Sequence, residues 1–419
     1  MKIKSPFSIY LRPGNPDFLD LPWDRPLTEW RKFSRRIEEL PRGVSRHPVL
    51  FVNYDNSLYA FKELPPGIAE REYDSLRQMN DERLPIVKPV GHVHIQTPAR
   101  ETSVLVTSYL EHSLPYRSLF KRSDMRRYQE HLLDAIAGLL VQLHLSGVYW
   151  GDCSLSNTLF RRDAGALQAY MVDAETAEIQ DNLPPKVRYD DLRVMEENIT
   201  GELADLAASR MLPPHFPVFE TSTSIRRRYL RLWDMIKSEV VLSPNEQYRI
   251  QEHVRALNEM GFSVEEIEMR STENGAKLRL KAFVGDRNFH RDQLHGLTGI
   301  EAEETQARQI INEIQELKAS LSQQNSRNVP LSAAAYYWLE HVYQPVLEQL
   351  APIIAQKALS PIELYCQVLE HKWFLSEKAK DDVGHMAAVR DYLNTFYPQQ
   401  ASAAPEEVQA SGPSSRASV

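Results

Sequence analysis

Leu143-His144-Leu145-Ser146-Gly147-Val148-Tyr149-Trp150-Gly151-Asp152-Cys153-Ser154-Leu155-Ser156-Asn157 is the stretch that decides the fold. It runs from a helix end, through a glycine placed as a C-cap, into Gly-Asp-x4-Asn. Upstream, Leu132, Leu133, Ile136, Leu139, Leu140 and Leu143 recur at the helical period, which predicts a helix with one apolar stripe from about Met125 to Ser146. Downstream, a polar loop leads to a short strand, Ala169 to Val172, that ends in the carboxylates of Asp173-Ala174-Glu175. A further helix is expected near Leu192 to Leu206.

Phosphoryl transfer from ATP asks for three groups in this order: a carboxylate for the acceptor hydroxyl, an amide oxygen for Mg2+, and a second carboxylate bridging metal and phosphates. Asp152, Asn157 and Asp173 supply them. The N-terminal half adds a matching pair. Val49-Leu50-Phe51-Val52 and Leu58-Tyr59-Ala60-Phe61 flank the turn formers Asp55-Asn56-Ser57 and predict a β-hairpin. Lys62 ends its second strand. A helix from Ile68 to Met79 follows and carries Glu72, with Glu70 as the competing partner for Lys62, and Val104-Leu105-Val106 reads as a buried strand.

The chain has 419 residues, enough for two or three domains, with 42% hydrophobic and 25% charged residues. No run approaches the roughly 18 apolar residues of a membrane span, and no apolar stretch follows Met1 to Pro6 as a secretory signal requires. A net charge of −8 argues against a nucleic-acid binder. Cys153 and Cys366 are too few for a disulfide framework or a four-cysteine zinc site. A cytoplasmic protein is expected. Several features have plain readings. Asp152 and Asn157 also suit an ordinary turn, Cys153 a small buried side chain, and Arg226-Arg227-Arg228 a solvated helix face. His92 and His94 have no cysteine or carboxylate cluster to complete a zinc site.

On these residues, segment 49–205 resembles the protein-kinase-like superfamily, closer to its small-molecule and lipopolysaccharide kinase branches than to eukaryotic-type protein kinases. Gly151-Asp152 and Asp173-Ala174-Glu175 look like the aminoglycoside and choline kinase pattern, and Tyr189-Asp190-Asp191-Leu192 is similar to the Tyr-Asp-Leu found after it in those enzymes. With Tyr336-Tyr337-Trp338-Leu339-Glu340 and Leu369-Glu370-His371-Lys372-Trp373, the whole chain resembles a bacterial lipopolysaccharide-kinase-like family with an appended C-terminal domain of unknown function. The resemblance implies an α+β chain: a bilobal kinase-like fold, then a mostly helical α+β domain. It implies ATP and Mg2+ as cofactors. Lys62 would hold the α/β-phosphates and Glu72 would orient it. Asp152 would be the base, Asn157 and Asp173 the metal ligands, and Asp191 a brace for the catalytic loop. Two departures stand out. The nucleotide loop expected near Leu40 to Pro48 holds one glycine, Gly43, and the prolines Pro41 and Pro48, which have no N–H to offer phosphate. Trp150 stands where most relatives carry histidine.

The expected divisions are an N-terminal extension (1–32) packed through Leu21, Trp23, Leu27 and Trp30, a kinase-like domain (33–205, first lobe to about 110), an α+β domain (206–397) and a disordered tail (398–419). In the third, Ser243-Pro244-Asn245-Glu246 and Ser360-Pro361-Ile362-Glu363 both read as capped helix starts. A hairpin is expected over 263–285 around Asn274-Gly275, and a helix along Ile310, Ile311, Ile314, Leu317 and Leu321. Only 17 residues separate Asp173 from Asp191, Pro184-Pro185 stiffens them, and no Ala-Pro-Glu comes after. That leaves no platform for a peptide. The expectation is an ATP/Mg-dependent phosphotransferase acting on a small hydroxylated acceptor, such as a sugar or lipid-linked head group, with a protein partner for the C-terminal domain possible. The alternative is a pseudokinase, a nucleotide-binding scaffold without turnover.

Overall fold

The first lobe is built on an antiparallel sheet of β1 (Phe7–Leu11), β2 (Ile37–Glu38), β3 (Val49–Tyr54), β4 (Ser57–Leu64), β5 (Pro89–Thr97) and β6 (Arg100–Ser108), ordered β1-β5-β6-β4-β3-β2. The computed structural model describes residues 7–40, 46–55, 57–97, 100–120, 125–242, 248–271, 278–285, 287–324, 327–357 and 359–398. The expected hairpin is β3–β4, and β3 alternates half-buried and buried side chains as a strand covered on one face does. Strand β1 is an addition that the sequence did not predict. It runs from Phe7 opposite Ile95 to Leu11 opposite Gly91, where a Cβ would lie 2.1 Å from the Tyr10 carbonyl oxygen.

Each face of this sheet is covered differently. Phe18, Leu21, Trp23, Leu27 and Trp30 pack with Val52, Phe61, Val93, Val104 and Val106 in one core, the two indoles edge to face at 5.0 Å. Glu63 fastens this cover by accepting the Leu27 N–H at 3.0 Å. Helix α1 (Ile68–Asp81) takes the other face through Ala69, Leu76 and Met79. Because side chains alternate along β4, Phe61 serves the first face and Lys62 turns toward α1.

The second lobe is made of β7 (Leu114–Pro115), α2 (Tyr116–Phe120), α3 (Met125–Leu145), β8 (Val148–Tyr149), β9 (Thr158–Asp163), β10 (Ala166–Met171), β11 (Glu178–Ile179), α4 (Pro185–Ala208) and α5 (Val218–Lys237). The leucine stripe of α3 meets Leu192, Met195, Ile199 and Leu203 of α4 and Ile225, Tyr229 and Ile236 of α5 in a single core. Helix α4 starts at Pro185, not near Leu192. Pro184 is its N-cap and Pro185 occupies the first turn, where a missing N–H costs nothing. The paired prolines therefore open a helix, and Asp191 lies inside it.

Strand β12 (Val240–Leu242), α6 (Tyr248–Glu259), β13 (Val264–Ser271) and β14 (Leu278–Val284) come next, with the strands ordered β12-β14-β13. The expected hairpin is β13–β14. Its Asn274-Gly275 turn, the Ser243–Glu246 helix start and the tail from residue 399 lie outside the described residues. Leu257, Phe262 and Ala282 join the second-lobe core. The chain consequently divides into one compact unit of Met1–Gln293 with Glu303–Thr305, and another of Leu294–Ala302 with Gln306–Val419. The line drawn at 205/206 falls inside the first unit, because α5 packs on α3 and α4.

Six α-helices, α7 (Phe289–Thr298), α8 (Glu304–Gln324), α9 (Leu331–Trp338), α10 (Gln344–Lys357), α11 (Pro361–Ala379) and α12 (His385–Phe396), complete the described chain, with a π-helical segment, Leu339–Tyr343, joining α9 to α10. Within the second unit, Glu313 accepts from the Trp338 indole at 2.8 Å and the Tyr365 hydroxyl at 2.7 Å, and Ser360 caps α11 by accepting the Glu363 N–H. Among the described residues, no helix is long and apolar enough to cross a membrane.

Candidate active site

Lys62 sits near the end of β4, opposite Val49 and Leu105. Its ammonium donates to both Glu72 oxygens, at 3.2 and 3.1 Å, and to Asp173 Oδ2 at 2.7 Å. Glu72 is wholly buried, and its Oε1 also accepts the Ala174 N–H at 3.1 Å. Glu70, the rival for this pairing, faces solvent. Burial pushes the Glu72 carboxyl up to about 7, more than the neighbouring Lys62 charge pulls it down. Burial also works against the Lys62 charge, but the Glu72 and Asp173 carboxylates outweigh it and hold the ammonium above its ordinary value.

Asp152 stands on the loop between β8 and β9. Its Oδ1 accepts from the Asn198 amide at 2.9 Å, and its Oδ2 from Asn157 at 3.1 Å and from Arg46 at 2.7 Å. The Asn157 amide nitrogen also donates to the Asp152 carbonyl at 3.0 Å, so Asn157 offers its Oδ1 to a cation. Thr158 pairs with Met171, and Val172 donates to the Asn157 carbonyl at 3.0 Å. The β9–β10 ladder thus brings Asn157 beside the strand end that carries Asp173. Among the described residues, no group of three or more His, Cys, Asp or Glu is arranged to hold a metal by itself. The amide and carboxylate oxygens of Asn157 and Asp173 instead fit Mg2+ arriving with a nucleotide, which needs only one or two protein ligands.

Asp191 holds the loop from beneath. Fully buried, it accepts the Trp150 N–H at 2.8 Å through Oδ2 and the Gly151 N–H at 2.9 Å through Oδ1. Oδ2 also lies 3.0 Å from His144 Nε2, and His144 Nδ1 lies 2.8 Å from the Tyr229 hydroxyl. Burial lowers the His144 pKa, against the pull of Asp191. The neutral ring then donates from Nε2 to the carboxylate and accepts from Tyr229 at Nδ1. Trp150 serves as a brace in its own way, its indole N–H donating to the Asp173 carbonyl at 3.0 Å and joining the two motifs.

All six residues singled out from the sequence are therefore in one neighbourhood. Three contributors were missed: Asn198 on Asp152, Glu202, which accepts the Leu155 and Ser156 N–H groups at 2.6 and 3.0 Å, and Arg46. Asn198 and Glu202 come after Asp191 at seven and eleven residues, one face of α4, and that period was the available signal. Cys153 is buried, with its thiol pushed well up by burial. His92 stacks on Tyr10 at 4.8 Å, while Arg226 pairs with Glu196 and Arg228 with Glu130 and Asp134.

Residues 53–210 match the profile of the lipopolysaccharide kinase (Kdo/WaaP) family, and residues 231–397 that of a domain of unknown function, DUF4032. A comparison with curated proteins gave no match. Among solved structures, the chain is similar to WaaP in complex with acyl carrier protein, at 17% identity over 60% of this chain and 98% of that one, with a TM-score of 0.37. It is also similar to an aminoglycoside-3'-phosphotransferase of type VIII, at 15% identity over 50% and 91%, with a TM-score of 0.34. The stretch that matches the lipopolysaccharide kinase (Kdo/WaaP) profile contains Lys62, Glu72, Asp152, Asn157, Asp173 and Asp191.

Proposed function

We propose that this chain transfers the γ-phosphoryl group of ATP, with Mg2+, to a hydroxyl of a small acceptor such as a sugar or lipid-linked head group. The observation that carries the reading is the junction at Lys62, whose ammonium touches Glu72 and Asp173 together. Lys62 binds the α/β-phosphates and Glu72 holds it there. Asn157 and Asp173 ligate the cation, which supplies charge neutralisation at the phosphates. Asp152 takes the proton as the acceptor oxygen bonds to phosphorus and ADP departs. A small acceptor is favoured by the short path after Asp173. Glu178–Ile179 pairs with β8, and Pro184 then caps α4, so little chain remains for a peptide platform.

The test is incubation with γ-labelled ATP, Mg2+ and a metabolite extract, comparing the parent protein with Asp152→Ala. Label in a small-molecule fraction from the parent alone is expected. Label only on added proteins would overturn the acceptor class, and no transfer at all would overturn the enzyme.

A further inference from the structure

Two cations of the first lobe reach across to carboxylates of the second. Lys62 reaches Asp173, and Arg46 reaches Asp152 Oδ2 at 2.7 Å. They start from neighbouring points. The Glu63 N–H donates to the Pro48 carbonyl at 2.9 Å and Val49 pairs with Lys62, so Arg46 enters the sheet beside the lysine. His47, next along, lies 3.5 Å from Glu175. Arg46 is 83% exposed, so its guanidinium is held by this ion pair and not by packing. Its position also conflicts with the chemistry assigned to Asp152. Oδ1 is taken by Asn198 and Oδ2 by Asn157 and Arg46, which leaves the base little room for an acceptor hydroxyl.

The resemblance puts the loop that presents backbone N–H groups to the phosphates near Leu40 to Pro48, of which 41–45 lie outside the described residues, and the sequence there has prolines at 41 and 48. A guanidinium is the natural replacement, because it offers a fork of donors to phosphate oxygens. Resting on the phosphotransferase reading, we propose that Arg46 is a phosphate-binding residue for the nucleotide, and that its pair with Asp152 and its contact with phosphate are mutually exclusive alternatives. Polyphosphate competes with Asp152 for the guanidinium. Binding of nucleotide draws Arg46 away and frees Oδ2 for the acceptor hydroxyl. The base is thereby blocked until a phosphoryl donor is in place, which guards against unproductive acceptor binding.

Titration calorimetry with Mg2+-ATP and with adenosine tests this on the full-length protein. Arg46→Ala should weaken ATP binding by about tenfold or more, the scale of one charge-assisted hydrogen bond, and leave adenosine within about twofold. Arg46→Lys should fall between. Asp152→Asn should tighten ATP binding severalfold, because the competing partner is gone. That gain should shrink markedly in the Arg46→Ala background, and the double-mutant cycle isolates the pair from the general loss of a negative charge. Parental ATP affinity in Arg46→Ala, or an equal gain from Asp152→Asn in both backgrounds, would overturn the role of Arg46 while leaving the kinase reading intact. A parent protein that binds neither ATP nor adenosine overturns both.

Discussion

The Asp191 carboxylate and the Trp150 backbone N–H meet at 2.8 Å in a site closed to solvent, although 41 residues separate them. This contact converts a helix position into the geometry of a loop. Removing the carboxylate leaves the N–H groups of Trp150 and Gly151 and the imidazole of His144 buried without their acceptor. Asp191→Ala should cost about 3–5 kcal/mol, the range for breaking a buried charged network. Urea denaturation reads this directly, and a parental midpoint would show that the loop is held by other contacts.

Glu72 links stability to pH. Its carboxyl is raised to about 7 by burial, so the folded state keeps a proton that the unfolded chain releases near 4.5. The stability this group contributes is fully present below about pH 4.5 and is lost as pH rises through about 7. The Lys62 attraction runs the other way, because it needs the ionised carboxylate. In metal-free buffer, the stability difference between Glu72→Gln and the parent should therefore change steadily across that window. A difference that stays flat from pH 4.5 to 7 would contradict the buried, proton-retaining carboxyl.

Nucleotide binding should depend on the acid that Lys62 touches. With Mg2+-ATP at about 100 times its Kd, the parent should gain about 2.7 kcal/mol of stability. Asp173→Ala should gain much less, since it removes the carboxylate proposed to hold the metal and one partner of Lys62. Thermal denaturation with and without the complex is the measurement, and an equal shift in both proteins would remove Asp173 from the site.

Binding and chemistry should separate at Asp152. Asp152→Asn preserves the shape of the side chain but cannot accept the proton, so turnover should fall by roughly 10²–10⁴-fold. Nucleotide affinity should be no weaker than in the parent. Steady-state rates beside equilibrium binding decide this, and parental turnover would show that Asp152 is not the base.

The sequence disclosed features written within one turn, one hairpin or one helix. The stripe of α3, the β3–β4 hairpin and the Gly-Asp-x4-Asn spacing are of that kind, and they were enough to bring Lys62, Glu72, Asp152, Asn157 and Asp173 into one picture, to which the family resemblance added Asp191. Contacts made by chain reversal were not legible. Arg46 lies 106 residues from Asp152, and nothing local marks either residue for the other. Asn198 and Glu202 show their purpose only once α4 is seen beneath the loop. Strand β1 escaped notice because proline-rich surroundings obscured a short alternating run. The prolines at 184 and 185 read as a stiff linker because a breaker and a helix opener are the same residue, told apart only by the helical run after it. The division at 205/206 reflected a change in composition, whereas packing is continuous across it.

Tyr229 lies beyond residue 210, where the kinase match ends, yet its hydroxyl hydrogen-bonds His144 at 2.8 Å, and Ile225 and Ile236 of the same helix are in the core with α3 and α4. The join between the two matched regions is thus a seam in the sequence and not in the folded molecule. A chain ending at 210 would expose the inner side of α3 and strand the imidazole that steadies Asp191. Swapping the matched segment for another at that seam would separate the Trp150–Asn157 loop from part of its own foundation, so α5 has to be inherited with the loop it supports.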